Sequence, residues 1–221
     1  MRPPAGITVD RRPARPQPSL LPEGIVAVIR SASVEEAVTI GGALAAAGVL
    51  HLEITFTIPN AQDAIRELSD TTDANVGAGT VLTAQQASAA ADAGARFLVS
   101  PTLVPAVLRR AAELDLPSIA GALTPTEALS ASTAGASAVK LFPVGSVGGA
   151  GYVRALREVF PDIKWVVSGG ISAAEVVAYR HAGCTAICLG GALISREALA
   201  RGDREALVAY AAGALRVAEG P

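Results

Sequence analysis

The chain has 221 residues, of which 51% are hydrophobic and 17% are charged, a composition that fits one globular domain with a substantial core. Its formal net charge is −2 and its pI is near 5.7, so the sequence offers no basic surface for nucleic acid or for an anionic membrane. No uninterrupted apolar run approaches the roughly 20 residues that span a bilayer, so we expect neither a nucleic-acid partner nor a membrane partner.

The first twenty residues differ in composition from the rest of the chain. They are rich in proline and arginine and contain no apolar segment of the kind found in a secretion signal. We predict a flexible tail over residues 1–20 and one folded domain over residues 21–221. The two cysteines, Cys184 and Cys188, lack the spacing of a zinc pair or a redox pair, so each is predicted to be a small buried side chain, and the compartment is predicted to be the cytoplasm.

Short β-branched segments alternate with helical segments along the whole chain. The predicted strands cover residues 24–30, 49–55, 75–81, 97–99, 117–120, 138–143, 165–167 and 186–189. The predicted helices cover 34–48, 60–68, a segment from 84, 104–114, a segment from 125, 152–160, a segment from 173, and 195–217. Four helix starts carry the pattern of a capping box, namely Ser33–Glu36, Thr83–Gln86, Thr124–Glu127 and Ser172–Glu175.

This alternation makes about eight strand–helix units. Continuous apolar strands alternating with helices predict a parallel sheet covered by helices, and eight units in about 200 residues favour an α/β fold of the (β/α)8 TIM-barrel type with a single domain. A doubly wound open sheet is the alternative, and the first strand lacks its dinucleotide-binding glycine pattern. The glycine-rich segment 145–151 is predicted to connect the sixth strand to its helix, or to be a mobile loop over a site.

Lys140 lies in the middle of the apolar sixth strand, where burial of an amine is costly. Two interpretations follow, a structural ion pair or an amine of depressed pKa that attacks a carbonyl. Alternation places Glu53 inside the predicted barrel with Lys140, and a nearby carboxylate is what imine chemistry needs for proton transfer. The pair favours catalysis, with the structural ion pair as the alternative.

Further polar residues lie at the carboxyl ends of the strands, where barrels of this type have their active sites. They include Arg30, Thr80 and Pro101. Strands seven and eight end in Ser168-Gly169-Gly170 and Gly190-Gly191, where backbone N–H groups can hold a phosphate. His51 is predicted to be an interior side chain and His181 a helix-end residue, so neither indicates a metal site.

Five motifs occur in a familiar order: Leu52-Glu53-Ile54-Thr55, Gly77-Ala78-Gly79-Thr80-Val81, Ser100-Pro101, Val139-Lys140-Leu141-Phe142-Pro143 and Ser168-Gly169-Gly170-Ile171. With them, residues 21–218 resemble the class I 2-keto-3-deoxy-6-phosphogluconate (KDPG) aldolases, a family that includes 4-hydroxy-2-oxoglutarate and phosphogalactonate aldolases. The resemblance implies a homotrimeric barrel that needs no metal and no cofactor and acts on a small 2-keto acid. The implied reaction yields pyruvate and glyceraldehyde 3-phosphate.

The resemblance also implies residue roles. Lys140 falls on the Schiff-base lysine and Glu53 on the general acid/base. Thr80 falls on the residue that binds the pyruvyl carboxylate, Pro101 on a position beside it, and Phe142 on the aromatic that packs on the substrate. The phosphate loops are represented by Gly169, Gly170, Gly190 and Gly191.

Two departures from the family leave the second half of the substrate open. Some members carry an arginine where this chain has Thr57, whereas others place the anion-binding arginine at the end of strand one, which Arg30 matches. Members also often carry a serine in the strand-eight loop, where Gly191 stands here. A phosphosugar isomerase or epimerase on the same barrel, or a non-catalytic ligand-binding barrel, are the competing hypotheses.

Overall fold

Eight parallel strands close into a barrel in chain order, each hydrogen-bonded to the next and the last to the first. The computed structural model describes residues 21–220, so the tail predicted over residues 1–20 lies outside the described residues. The strands are β1 Gly24–Ile29, β2 His51–Thr55, β3 Asn75–Gly79, β4 Leu98–Val99, β5 Ser118–Ala122, β6 Ala138–Leu141, β7 Trp165–Ser168 and β8 Ala186–Leu189. The predicted (β/α)8 barrel is confirmed, and the open sheet is wrong.

Helices follow the strands and cover the outside of the barrel. Their bounds are α1 Val34–Ala46, α2 Ala61–Thr71, α3 Ala84–Asp92, α4 Pro105–Glu113, α5 Pro125–Thr133, α6 Gly149–Val159, α7 Val176–His181, α8 Arg196–Ala200 and α9 Arg204–Glu219. Among the residues described, no helix is both long and apolar enough to cross a membrane.

The predicted helix starts depend on local hydrogen bonds that the structure contains. The capping boxes at Thr83 and Thr124 have both of their hydrogen bonds. At Ser172, which opens a short 3-10 turn before α7, the Glu175 carboxylate accepts from both the backbone N–H and the hydroxyl of Ser172. At α1, Ser33 caps the Glu36 N–H, but the Glu36 carboxylate accepts from Ala32 N at 2.8 Å. These bonds satisfy N–H groups that a helix start would otherwise leave without partners.

The segment after β6 differs from the prediction. The strand ends at Leu141 rather than at residue 143, and residues 144–147 form a 3-10 turn. Helix α6 then begins at Gly149, three residues before the predicted start, and the backbone N–H of Gly145 donates to Gly169 O at 3.0 Å. Glycine has low helix propensity, so the sequence indicated a loop over residues 145–151. In the structure, contacts with the end of β7 stabilise a helical backbone there.

The barrel wall separates the two main apolar clusters of the described chain. The lumen cluster contains inward-facing side chains, namely Val26, Phe97, Val99, Ile119, Ala138, Val166, Ala186 and Cys188. The other and larger cluster contains the outward-facing strand residues packed against the helices, for example Leu52, Val139 and Leu141. The two faces of β6 therefore divide as alternation predicted, with Val139 and Leu141 outside and Lys140 inside.

Candidate active site

Lys140 and Glu53 meet inside the barrel. Lys140 Nζ lies 3.2 Å from both carboxylate oxygens of Glu53, although the residues are on β6 and β2. Lys140 is 6% exposed and Glu53 is 1% exposed. The predicted proximity of the two side chains is confirmed, and the distances permit direct proton transfer between them.

Glycines on β3 and β5 make room for this pair and its surroundings. A Cβ on Gly79 would collide with the Glu53 carboxylate, and one on Gly77 would collide with the Phe97 ring. On β5, Gly121 is paired in register with Lys140, and a Cβ there would collide with the backbone of Pro101. Side chains at these glycine positions would fill the space that the carboxylate and the strand-four loop occupy.

The electrostatic state of Lys140 differs from the sequence-based expectation. Burial is the largest single influence and lowers the pKa of Lys140, but the attraction of the Glu53 carboxylate, assisted by its hydrogen bonds, leaves that pKa above its usual value. The expected depressed pKa is therefore wrong for the resting site. Lys140 is an ammonium ion paired with the Glu53 carboxylate.

Cys188 is a neighbour of the pair that the sequence argument did not connect with the site. Its Sγ lies 3.9 Å from Glu53 Oε2, and the side chain is buried in the lumen. Burial raises the pKa of the Cys188 thiol to about 12, so the thiol is protonated at neutral pH. The prediction of a small buried side chain is correct, and the alternation of β8, which puts Ala186 and Cys188 on the inward face, is the signal that could have connected Cys188 with the pair.

The carboxyl ends of β3 and β4 form one side of the barrel mouth. Thr80 directly follows β3 and has φ of +56°, a left-handed conformation that is costly for a threonine. Beside it, Ser100 Oγ donates to Val81 O at 2.7 Å and anchors the start of the loop that carries Pro101. Thr80 and Pro101 are thus held on the β3–β4 side.

The opposite side of the mouth opens into a cavity of about 1210 Å³. It brings together most of the predicted anion-binding residues, and its lining includes Arg30, Phe142, Ser168, Gly169, Gly170, Gly190 and Gly191. Cys188 lines the same cavity and also contacts Glu53, so it links the cavity to the Lys140–Glu53 pair. Thr80 and Pro101 are not part of the lining.

Phe142 is fixed by the close approach of two strand-end loops. The Phe142–Pro143 peptide bond is cis, and a Cβ on Gly169 would lie 2.9 Å from Pro143 Cα and 3.1 Å from Phe142 Cδ2. Gly169 has φ of +91°, which also favours glycine. The predicted phosphate-loop glycine therefore has a packing role against Phe142 and Pro143 as well.

The cavity also contains a cation that the sequence argument missed. Arg196, the first residue of α8, lines the cavity together with Arg30 and the glycines of the β8 end. Its sequence signal is weak, because an exposed arginine five residues after a glycine pair has many possible roles. Glu35 and Glu36 line the part of the cavity along α1.

Both histidines lie apart from the pair. His51 Nδ1 lies 3.1 Å from Asn75 Nδ2, and burial lowers the pKa of His51, as expected of an interior histidine. His181 is exposed at the end of α7. Within residues 21–220, no three His, Cys, Asp or Glu side chains come together in a group that could hold a metal ion.

A closed parallel barrel with a buried lysine–carboxylate pair at the carboxyl ends of its strands defines a (β/α)8 barrel with an enzyme-type site. Residues 19–210 match the family model described as KDPG and KHG aldolase. The chain is 36% identical over 198 residues to a probable 2-dehydro-3-deoxy-6-phosphogalactonate aldolase of Rhizobium meliloti, covering 88% of this chain and 91% of the relative. It is also 36% identical over 204 residues to the KHG/KDPG aldolase of Escherichia coli K12, covering 91% and 95%.

Solved structures agree with these relatives. A KDPG aldolase from Legionella pneumophila, with pyruvate captured as a covalent carbinolamine, has a TM-score of 0.77 at 27% identity and covers 87% of this chain and 94% of its own. A structure described as native KDPGal has a TM-score of 0.77 at 31% identity, covering 89% and 96%. The chain belongs to the KDPG and KHG aldolase family and is a carbon–carbon lyase.

Proposed function

We propose that this chain is a class I aldolase that forms a Schiff base between Lys140 and a 2-keto-3-deoxy-6-phospho sugar acid, releasing pyruvate and glyceraldehyde 3-phosphate. The observation that carries the proposal is the buried contact between Lys140 Nζ and both carboxylate oxygens of Glu53, at 3.2 Å each. The covalent carbinolamine captured in the Legionella pneumophila relative supports the same chemistry here.

The first half of the proposed cycle makes the imine. Glu53 accepts a proton from Lys140, and the free amine adds to the C2 keto carbon to give a carbinolamine. Glu53 then returns the proton to the carbinolamine hydroxyl, which leaves as water while the nitrogen becomes a protonated imine. Proton transfer within a preformed pair requires no exchange with solvent, which is why a lysine with a raised pKa can still serve as the nucleophile.

The second half breaks the carbon–carbon bond. Glu53 removes the C4 hydroxyl proton, the C3–C4 electron pair moves into the cationic imine to give an enamine, and the aldehyde leaves. Protonation of the enamine at C3 and addition of water then release pyruvate and regenerate the lysine. The nitrogen acts as the electron sink, so the positive charge on the imine is the feature that lowers the barrier.

We assign the remaining site residues by the anion that each can bind. Thr80 and Pro101, on the β3–β4 side, form the proposed site of the pyruvyl carboxylate. Arg30 supplies a cation at the end of β1, and Phe142 packs on the substrate. Thr80 and Pro101 do not line the large cavity. This supports binding of the pyruvyl half of the substrate at the β3–β4 side and of the second half in the cavity.

The phosphate is proposed to bind at the ends of β7 and β8. Ser168, Gly169, Gly170, Gly190 and Gly191 offer backbone N–H groups and a hydroxyl on one wall of the cavity. Arg196 is a further candidate for this anion because it lines the same cavity. A Cβ at Gly191 would meet nothing within 4 Å, so this part of the wall is open.

The identity of the aldehyde half requires a parallel comparison. Relatives named for phosphogalactonate and for KDPG are equally similar, at 36% identity each. The experiment compares kcat/KM for 2-keto-3-deoxy-6-phosphogluconate, its galactonate epimer, their unphosphorylated forms and 4-hydroxy-2-oxoglutarate. We expect a phosphorylated substrate to have the highest value, and a faster unphosphorylated substrate would contradict the proposed phosphate site.

The test of the imine uses the low lysine content of the chain. The sequence contains two lysines, Lys140 and Lys164, and Lys164 is exposed just before β7. Incubation with pyruvate and borohydride is expected to leave a carboxyethyl group on the side-chain nitrogen of Lys140, detected by mass spectrometry of its peptide. Lys140→Met should lose both adduct and turnover, whereas the matched control Lys164→Met keeps both. Turnover retained in Lys140→Met would exclude the imine mechanism.

We also propose a homotrimer acting in the cytoplasm, as the family resemblance implies. A structural neighbour at 31% identity belongs to a protein cage designed by fusing symmetric oligomeric domains. Sedimentation velocity is expected to give the mass of three chains, and a monomer or dimer would contradict the proposal.

A further inference from the structure

The Glu53 carboxylate has a second neighbour besides Lys140. Cys188 Sγ lies 3.9 Å from Glu53 Oε2, within the range of a sulfur hydrogen bond, and Cys188 also lines the large cavity. We propose that Cys188 is a positioning residue that acts through Glu53, donating its S–H to Oε2 and holding the carboxylate in the orientation that exchanges a proton with Lys140. This inference rests on the proposed Schiff-base function.

Three other strands contribute to the surroundings of the Glu53 carboxylate. Lys140 reaches it from β6, and the absence of a side chain at Gly79 gives the carboxylate its space on β3. Between β2 and β8 lies β1, where Val28 is paired in register with Glu53 and Val26 with Cys188. The thiol therefore contacts the carboxylate across β1. The β1 side chains at these positions are valines, which cannot donate a hydrogen bond to Glu53.

The thiol keeps its proton while Lys140 changes its charge. Burial is the main reason why the pKa of Cys188 is raised to about 12, so the S–H is intact throughout the neutral range. During the reaction the Lys140 nitrogen gives up its charge as the free amine and the carbinolamine, and the ion pair with Glu53 is lost for those steps. A fixed S–H donor keeps the carboxyl group in place until the imine forms.

Few charged groups of the described chain face the Glu53 carboxylate. The titratable and charged groups that face it are Lys140 from β6, Cys188 from β8 and, at the end of β1, Arg30, whose charge also reaches Lys140. The inward positions of β3 and β5 next to the pair are the uncharged Gly77, Gly79 and Gly121. Removal of the thiol thus leaves Oε2 with Lys140 as its hydrogen-bond donor among these groups.

The alternative is that Cys188 merely fills lumen volume, and matched variants separate the two roles. Cys188→Ala removes donor and volume, Cys188→Val fills the space without a donor, and Cys188→Ser restores a hydroxyl donor. Cys184→Ala is the control, because Cys184 lies just before β8, outside the lumen cluster. Melting temperatures establish that each variant is folded before kcat, KM and the pH dependence of kcat are measured.

A positioning role predicts a specific pattern. Cys188→Ala and Cys188→Val should lower kcat about tenfold, the effect of one hydrogen bond to a charged group, with little change in KM. The acidic limb of the kcat–pH profile should move to higher pH by about one unit, because the carboxylate loses a donor that stabilises its charged form. Cys188→Ser should recover part of kcat and of the profile, and Cys184→Ala should match the wild type.

Borohydride trapping with pyruvate keeps the two proposals apart. An adduct on Lys140 in the wild type and in every variant, with kcat and the acidic limb unchanged in Cys188→Val, overturns the role of Cys188 alone. Equal losses in Cys188→Ser and Cys188→Ala would likewise show that volume rather than the donor matters. No adduct in the wild type overturns the Schiff-base function and this inference with it.

Discussion

The lumen of the barrel has two layers with opposite chemistry. The deeper layer is apolar and contains Phe97, Val99 and Ile119 from the middle of the barrel wall, whereas the layer at the mouth contains Glu53, Lys140, Cys188 and Ser168. Buried apolar side chains stabilise the fold, but a buried ion pair contributes little or even costs stability relative to apolar residues. Fold stability therefore does not account for the polar layer, whereas the proposed Schiff-base chemistry does.

The largest expected effect comes from replacing the ion pair. Lys140→Met should abolish pyruvate formation and destabilise the fold by about 3–5 kcal/mol, because Glu53 is left buried without its partner. The double variant Lys140→Met/Glu53→Leu should also be inactive, but as stable as the wild type or more stable by about 1–4 kcal/mol. Coupled assays of pyruvate and urea unfolding measure both quantities. A double variant that is markedly less stable would show that the pair is a structural element.

The deeper layer should show the reverse pattern. Phe97→Ala removes a fully buried ring that packs on Gly77, so the free energy of unfolding should fall by about 3–5 kcal/mol. The molecules that remain folded should keep their kcat, since the ring does not line the large cavity and has no polar atom to offer to Lys140 or Glu53. Leu129→Ala, on the surface, is the control and should change stability by less than about 0.5 kcal/mol. A loss of kcat in Phe97→Ala without a loss of stability would contradict the assignment of stability to the apolar layer and of activity to the polar layer.

A third change tests how the polar layer is given its space. Gly79→Ala places a Cβ against the Glu53 carboxylate, so the carboxylate must move away from Lys140. A displacement of about 1 Å should lower kcat on the order of 10²-fold in steady-state assays. Gly42→Ala in α1 is the matched control, because its Cβ would meet nothing within 4 Å and should leave kcat unchanged. Wild-type kcat in Gly79→Ala would mean that the resting position of the carboxylate is unimportant.

The last test concerns the buried thiols at alkaline pH. Burial raises the pKa values of Cys184 and Cys188 from 9.0 to about 12, so the unfolded chain loses these protons first. Stability should therefore fall as pH rises above 9, by about 1.4 kcal/mol per pH unit for each thiol. Burial also raises the pKa of Tyr179 from 10.0, and the pKa of Lys140 is raised from 10.5, so both contributions are still present between pH 9 and 10, and that window isolates the thiols. In the double variant Cys184→Ala/Cys188→Ala, the free energy of unfolding measured in urea should fall less steeply with pH. The same pH dependence as in the wild type would contradict the prediction.

The sequence by itself determined the repeating unit and the main partners in the site. Alternation along β2 and β6 placed Glu53 and Lys140 on inward faces, and the helix starts at Thr83 and Thr124 followed from their own side chains. These features depend on a few neighbouring residues and on strand periodicity, which act within each segment. The anion-binding residues could also be located, because parallel strands in a barrel all end on the same side.

Other features were decided by the closed barrel. The contact of Cys188 with Glu53 spans 135 residues and depends on how β8 meets β1 when the sheet closes. The same closure sets the charge state of Lys140, because the pKa depends on the distance to a carboxylate on another strand as well as on burial. It also brings Arg196 to the cavity and stabilises the helical path of the glycine-rich segment after β6. Local sequence cannot specify these distances, since each one is the sum of strand register, barrel curvature and side-chain packing across the lumen.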